Sequence, residues 1–157
     1  MLEPLKQWIC DSCGQVIKTP EDGYVEWLVE SEETSFSIQY GFKIIHSGEE
    51  CTCYPQEDIS LNDAPLEFFL GDKGYLNLLS FLDIGPLLMK EYKGPRVKYL
   101  REFVEFMRRL TVPYYEEARL YFKNLHTDEH FVLDDSIYQQ ENLIKIIQKY
   151  GRDLINE

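Results

Sequence analysis

The sequence is poor in several features that would assign it to a common class. Its 157 residues contain no apolar run of the ~18 residues that a membrane helix needs, so we expect no membrane span. The first residues lack a basic start followed by an apolar stretch, which argues against a signal peptide. We therefore expect a cytoplasmic protein whose cysteines stay reduced.

Catalytic signatures are also missing. We find no nucleophile elbow, no phosphate-binding loop and no dinucleotide fingerprint. Basic residues are scarce in the first 60 positions, which hold three lysines, no arginine and twelve acidic residues, a net charge of -9. Because an acidic surface repels phosphate backbones, nucleic acid is an improbable partner for this part of the chain.

All four cysteines lie in two close pairs in the first third of the chain. Cys10 and Cys13 have a two-residue spacing and are followed by Gly14, while Cys51 and Cys53 have a one-residue spacing and follow His46. Two thiolate pairs can enclose one soft cation, so we expect a zinc ion in this part of the protein. The βαβ context that a redox Cys-x-x-Cys motif requires is absent.

The ligand set is left open by the sequence, because five candidates compete for the four positions of a structural zinc site. One possibility is a site of four cysteines. The other combines Cys10, Cys13 and His46 with either Cys51 or Cys53, and His46 ends a predicted strand, from which a ligand can project. In both cases we expect zinc to have a structural role.

The segment Trp8–Gly14 resembles the first knuckle of zinc-ribbon domains. In that family a tight turn presents two sulfurs to the metal, and glycine helps to form the turn. The resemblance extends only over about residues 8–54, and the Cys51-x-Cys53 half departs from the usual second two-residue spacing. It implies a small β-rich module built around zinc, and we recognise no family in the chain beyond this segment.

The pattern of apolar residues predicts an α+β fold, in which a small β-rich zinc-binding module precedes a helical bundle. Alternation predicts strands over 23–30, 35–40 and 42–46. Helical patterns begin at about residue 61, with Asp63 as a candidate N-cap, and include segments near 75–83, 96–110 and 138–150. We expect a zinc-ribbon-like module over 1–60 and a helical part over 61–157, packed together as one unit.

The helices have predicted apolar faces. Leu76, Leu79 and Leu82 share one side of the helix near 75–83. The clearest stripe lies in the helix at 96–110, for which we expect a central core position. Its members are Val97, Leu100, Phe103, Val104, Met107 and Leu110.

Two further groups of residues suggest other functions. His126 and His130 lie four residues apart with carboxylates between them, which would suit a metal-dependent hydrolase if the segment were helical, although the His-Glu-x-x-His order is absent. The segment 93–109 carries the only basic cluster and could serve a nucleic-acid-associated regulator. Its charges also form opposite pairs four residues apart, as on an ordinary solvated helix.

The function that we expect from the sequence is that of a zinc-stabilised, non-enzymatic module that binds another protein. It rests on the acidic charge, the structural type of the metal site and the lack of a convergent catalytic set. The hydrolase and the nucleic-acid regulator are the alternatives, and the sequence leaves open whether the protein is an enzyme.

Overall fold

The computed structural model describes residues 1–31, 37–52, 59–88, 95–131 and 133–151, and it shows an α+β fold in which strands precede helices. Two small antiparallel sheets form the first part, and the larger has the order β4–β3–β5. The strands are β1 (Trp8–Ile9), β2 (Val16–Ile17), β3 (Gly23–Ser31), β4 (Ser37–His46) and β5 (Ser60–Pro65).

The predicted strand pair is confirmed by β3 and β4, while residues 35–36 of the prediction lie outside the described residues. The predicted break at Gly41 is a bulge within a single strand. The pairing shifts between Glu26 and Leu28, and Gly41 has a φ of 69°, a conformation that glycine adopts without strain. The bulge lies opposite Trp27, whose side chain is buried.

The segment that the sequence marks as the start of the helices is a strand. Asp63 is not an N-cap but lies in β5, which pairs with the second edge of β3 through registers such as Trp27 with Asn62. A 3-10 turn over Leu66–Phe69 follows it. Local propensity is weak in this polar segment, and the open hydrogen-bonding edge of β3 decides its conformation.

Helices occupy most of the remaining described chain. The helices are α1 (Gly71–Leu82), α2 (Leu100–Thr111), α3 (Tyr115–Ala118), α4 (Phe122–Leu125) and α5 (Gln140–Tyr150). None of the helices in these described stretches is both long and apolar enough to cross a membrane.

The apolar stripe predicted for the longest helix is only partly correct. Residues 96–99 are not helical, and Val97 forms a bridge with Gln39, so α2 begins at Leu100. The first-turn Leu100 is 55% exposed, whereas Phe103 and Phe106 are buried. The core face of α2 is therefore rotated towards Phe106, which the predicted stripe omitted.

The predicted face of α1 is wrong for a similar reason. Leu76 and Leu79 are exposed, while Leu78 and Phe81 are buried. Gly74 sets this orientation, because a Cβ atom there would lie only 2.1 Å from the carbonyl carbon of Phe69. The helix therefore approaches the preceding turn with its glycine side, and the turn fixes which side chains enter the core.

Buried residues form two apolar clusters. The first joins both sheets to α1 and α2 and contains stacked and edge-on aromatic rings, among them Trp27, Phe42, Phe81 and Phe103. The second lies among α3, α4 and α5 and contains Leu143, Ile146 and Ile147, which confirms the predicted last helix. The first cluster thus includes residues from both sides of position 60.

Candidate metal centre

The Cys10–Cys13 segment forms a tight turn between β1 and β2. The Gly14 amide donates a hydrogen bond to the Cys10 carbonyl at 2.9 Å, and the Cys10 amide donates to the Gln15 carbonyl at the same distance. Gly14 has a φ of 74°, which explains why glycine follows the second cysteine. The turn brings the sulfur atoms of the two cysteines close together.

The other half of the centre comes from the end of β4 and the turn after it. His46 is the last residue of β4. The turn then reverses the chain, since the Cys51 amide donates to the Gly48 carbonyl at 3.3 Å and the Thr52 hydroxyl donates to the same carbonyl at 3.2 Å. This reversal brings Cys51 back to the ring of His46.

Four ligand atoms converge at this point. The donor atoms of Cys10, Cys13, His46 and Cys51 all lie within 4.8 Å of one another. Tetrahedral zinc would separate two sulfurs by about 3.8 Å and a sulfur from a nitrogen by about 3.5 Å. The 3.4 Å between Cys13 Sγ and His46 Nδ1 agrees with that geometry, so the four residues lie close enough to hold a metal ion.

The histidine ring is oriented by its second nitrogen. His46 Nε2 lies 3.3 Å from the carbonyl oxygen of Val16, to which it can donate when Nδ1 binds a metal. Metal-binding histidines commonly have such a carbonyl partner, which fixes the tautomer and the plane of the ring. Because Val16 belongs to β2, the small sheet supplies this support together with the cysteine turn.

The thiols have unequal acidities. Burial by itself would raise the pKa of Cys10, but hydrogen bonds from the amides of Cys13, His46 and Ser12 lower it to about 6. Burial, together with hydrogen bonds and charge from Cys10 and Cys13, raises the pKa of Cys51 to about 11. One thiolate therefore forms readily, and crowding of negative charge opposes the next, which a bound cation would relieve.

Four of the five candidate ligands lie together in the described part of the chain. The cluster contains Cys10, Cys13, His46 and Cys51, which corresponds to the mixed cysteine–histidine set. Cys53 lies outside the described residues. The three described cysteines are free, and Cys10 and Cys51 are buried.

A residue inside the cysteine turn connects the centre to the helices. The Asp11 amide donates to the Ile44 carbonyl at 2.8 Å, and the Ile44 amide donates to Asp11 Oδ2 at 2.8 Å. The same carboxylate oxygen accepts a hydrogen bond from Arg109 Nη1 at 2.7 Å. Asp11 thus fixes the turn to β4 on one side and to α2 on the other.

Arg109 is the centre of a buried ionic network. Its guanidinium donates to both carboxylate oxygens of Glu116, at 2.7 and 3.0 Å, and to the Ile9 carbonyl at 3.2 Å. Arg119 also donates to both oxygens of Glu116. Burial would raise the pKa of Glu116, but its hydrogen bonds with Arg109 and Arg119 and their charges hold it below the ordinary value.

The sequence alone does not indicate this network. Arg109 reads as part of an ordinary polar helix face, and its partner Asp11 is separated from it by 98 positions. A local pattern cannot reveal a pair at that separation. The only hint is charge: an arginine that replaces an apolar residue on the core side of α2 needs a buried carboxylate.

The histidine pair proposed for a hydrolase does not form part of the metal cluster. Both His126 and His130 are exposed, and within the described ranges neither belongs to a group of three or more possible metal ligands. His130 Nδ1 lies 2.9 Å from Asp128, whose other oxygen accepts hydrogen bonds from Lys149 and Tyr150. The carboxylate of Asp128 is thus engaged by side chains at the C-terminal end of α5.

The predicted basic cluster is largely engaged within the protein. Lys93 lies outside the described residues. Lys98 pairs with Glu30 at 2.6 Å, Arg108 stacks at 4.1 Å over the ring of Tyr138, and Arg109 is buried in the ionic network. The segment does not present a row of free cations in the described part of the chain, which weakens its assignment to phosphate binding.

Comparison of the chain with protein-family models, with curated proteins and with solved structures gives no match. The similarity to the zinc-ribbon knuckle therefore rests on the turn over Trp8–Gly14 and on the metal cluster alone.

Proposed function

We propose that this protein is a zinc-stabilised, non-enzymatic module that binds another protein. The observation that carries the proposal is the convergence of Cys10, Cys13, His46 and Cys51, whose donor atoms lie within 4.8 Å of one another. The hydrolase loses support because, in the described residues, neither His126 nor His130 belongs to a group of possible metal ligands. The nucleic-acid regulator loses support because Lys98, Arg108 and Arg109 have partners within the protein.

Zinc is the metal that these donors favour. Three sulfurs and one imidazole nitrogen suit a borderline-soft ion with tetrahedral preference, whereas calcium and magnesium prefer oxygen ligands. Four protein ligands fill the coordination sphere and leave no position for a reacting water, which favours a structural role. Free thiols also require a reducing compartment, for which we propose the cytoplasm.

The outer face of α1 supports an interaction role. Tyr75, Leu76 and Leu79 recur at helical spacing and are 49%, 63% and 36% exposed, respectively. Such an apolar helix face is a common site of protein association. Because the chain has a net charge of -12, we propose a partner protein whose apolar contact surface is bordered by basic residues.

We further propose that the part over 1–60 and the part over 61–157 fold as one unit. The first apolar cluster contains residues from both parts, and the ionic network joins the cysteine turn to α2 and α3. Chelation of the metal should then destabilise α2 along with the small sheet.

Metal analysis tests the first part of the proposal. We expect about one zinc per chain by elemental analysis of protein purified without chelator. His46→Ala should lower the zinc content, whereas the matched variant His130→Ala should leave it unchanged. Protein free of zinc, a native disulfide between Cys10 and Cys13, or full zinc occupancy in His46→Ala would contradict the proposal.

The interaction is tested with variants of the α1 face. Leu76→Gln should weaken binding to a partner purified by affinity capture, and Leu120→Gln, at a 38% exposed leucine outside α1, serves as the control. The purified pair should bind directly, and its affinity should fall as salt is added because opposite charges border the contact. Equal binding by both variants would exclude α1 as the contact surface.

A further inference from the structure

A cavity of about 330 Å³ lies beside the larger sheet, away from the metal centre. It is lined by residues of all three strands of that sheet and of α1, together with Arg96, which precedes α2. Its size falls within the range of small-molecule sites. Polar groups on its walls include the amides of Gln39, Asn62 and Asn77.

Two of the side chains that line this cavity carry hydrogen-bond donors without a partner. Trp27 Nε1 and Arg96 Nε are buried and have no acceptor among the described residues. A buried N–H without an acceptor costs about 1–3 kcal/mol, so native proteins seldom retain one. Both side chains line the cavity, so an acceptor that reached the two N–H groups from it would remove this penalty.

The guanidinium of Arg96 has one edge available for such an acceptor. Its Nη1 donates to the Ser80 carbonyl at 3.4 Å, whereas Nε and Nη2 have no hydrogen-bond partner in the described part of the chain. Nε and Nη2 lie side by side and match the two oxygens of a carboxylate. Within the same described ranges, Arg96 forms no ion pair.

The other properties of the cavity define the rest of the ligand. Arg96 is the only charged side chain among the described residues that line it, so a single negative charge is favoured. Phe68 and Phe81 form apolar walls, and Phe68 is 52% exposed at the surface. A ligand that combines a carboxylate with an apolar group would meet both kinds of wall.

We propose that this cavity binds a small carboxylic acid with an apolar substituent, such as an aryl or alkyl acid. The carboxylate accepts hydrogen bonds from the free edge of Arg96 and from the indole of Trp27, and the substituent contacts the phenylalanine rings. The site is separate from the metal centre, so its occupancy does not depend on the zinc role proposed above.

The tryptophan indole signals provide a direct assay. The chain has two tryptophans, and Trp8 Nε1 already donates to the Arg109 carbonyl at 3.1 Å. In a ¹⁵N–¹H correlation spectrum, phenylacetate should shift the Trp27 indole signal in a saturable way and leave that of Trp8 unchanged. Phenylacetamide, which has the same shape without the charge, should bind at least about tenfold more weakly.

Variants locate the site. Arg96→Gln should weaken phenylacetate binding at least about tenfold, whereas Arg101→Gln, at an exposed arginine of α2, should leave it unchanged. The backbone of residue 96 is held by hydrogen bonds with Phe81 and Gln39, so the fold should survive the change. Trp27→Phe keeps a ring but removes the donor, and saturation-transfer signals of the probe should weaken several-fold.

Three results would overturn the proposal. The first is a Trp27 indole signal that does not shift at millimolar phenylacetate and whose proton exchanges only with water. That result would show that water alone occupies the cavity. The second is equal binding of phenylacetamide, and the third is full affinity in Arg96→Gln. Unchanged zinc content in Arg96→Gln would show that any lost binding is independent of the metal centre.

Discussion

Replacement of Arg109 by methionine is the sharpest test of how the metal centre is supported. Arg109→Met keeps most of the apolar stem but removes the guanidinium donors that reach Asp11, Glu116 and the Ile9 carbonyl. The side chain of Glu116 is only 7% exposed, so its carboxylate would stay buried with less compensation. Breaking a buried pair in this way typically costs about 3–5 kcal/mol.

The position of Arg119 limits the expected loss in the free energy of unfolding. It donates to both oxygens of Glu116, at 2.9 and 3.1 Å, and would retain part of the compensation. We therefore expect about 3 kcal/mol, the lower end of that range. Arg101→Met, at an exposed position of the same helix, should change stability by less than about 0.5 kcal/mol.

Urea unfolding of the zinc-loaded protein gives the measurement. The double variant Arg109→Met/Glu116→Leu should recover much of the loss, because it removes the buried charge together with its partner. Arg109→Met should also release zinc faster to a chelator than Arg101→Met, since Asp11 lies inside the cysteine turn. A loss below about 1 kcal/mol, or no recovery in the double variant, would refute the network as a buried ionic support.

Three further predictions concern the packing and the charges. Phe103→Ala should cost about 3–5 kcal/mol in urea unfolding and Leu100→Ala less than about 1, because only the first side chain is buried; equal losses would contradict the orientation of α2. Gly74→Ala should destabilise the protein by about 1–3 kcal/mol although alanine favours helices, since its Cβ would meet backbone atoms of Phe69; a rise in melting temperature would be inconsistent with that contact. The lowered pKa of Glu116 predicts that its contribution is present above its ordinary pKa of 4.5 and is lost as the pH falls through the lower folded value. The wild type should therefore lose stability more steeply below about pH 4.5 than Arg109→Met/Glu116→Leu, and parallel pH profiles would argue against it.

The strand pair and the cysteine turn could be predicted because their signals are local. Alternation of apolar residues fixes β3 and β4, and the spacing of Cys10, Cys13 and Gly14 is sufficient to indicate a turn with two sulfurs. His46 was recognisable as the last residue of a predicted strand. The approach of Cys51 to His46 depends on the turn at Gly48, which no spacing rule describes.

Segments whose conformation depends on distant partners were predicted poorly. Residues 60–65 have little strand propensity and form β5 because β3 offers an open edge. Residues 96–99 continue a helical pattern in the sequence but are not helical, since the backbone at Arg96 and Lys98 hydrogen-bonds to Gln39. In both cases pairing with the larger sheet outweighs the local preference.

The orientation of the helices shows why periodicity alone is insufficient when a helix has apolar residues on several sides. Leu76 and Leu78 are equally apolar, and each has another apolar residue three or four positions away along the helix. Only Leu78 is buried. The deciding contact is the close approach of Gly74 to Phe69, which involves a residue that contributes nothing to a hydrophobic pattern. The leucines left outside are then available for the proposed protein contact, so the glycine that fixes the core also determines which surface the protein presents.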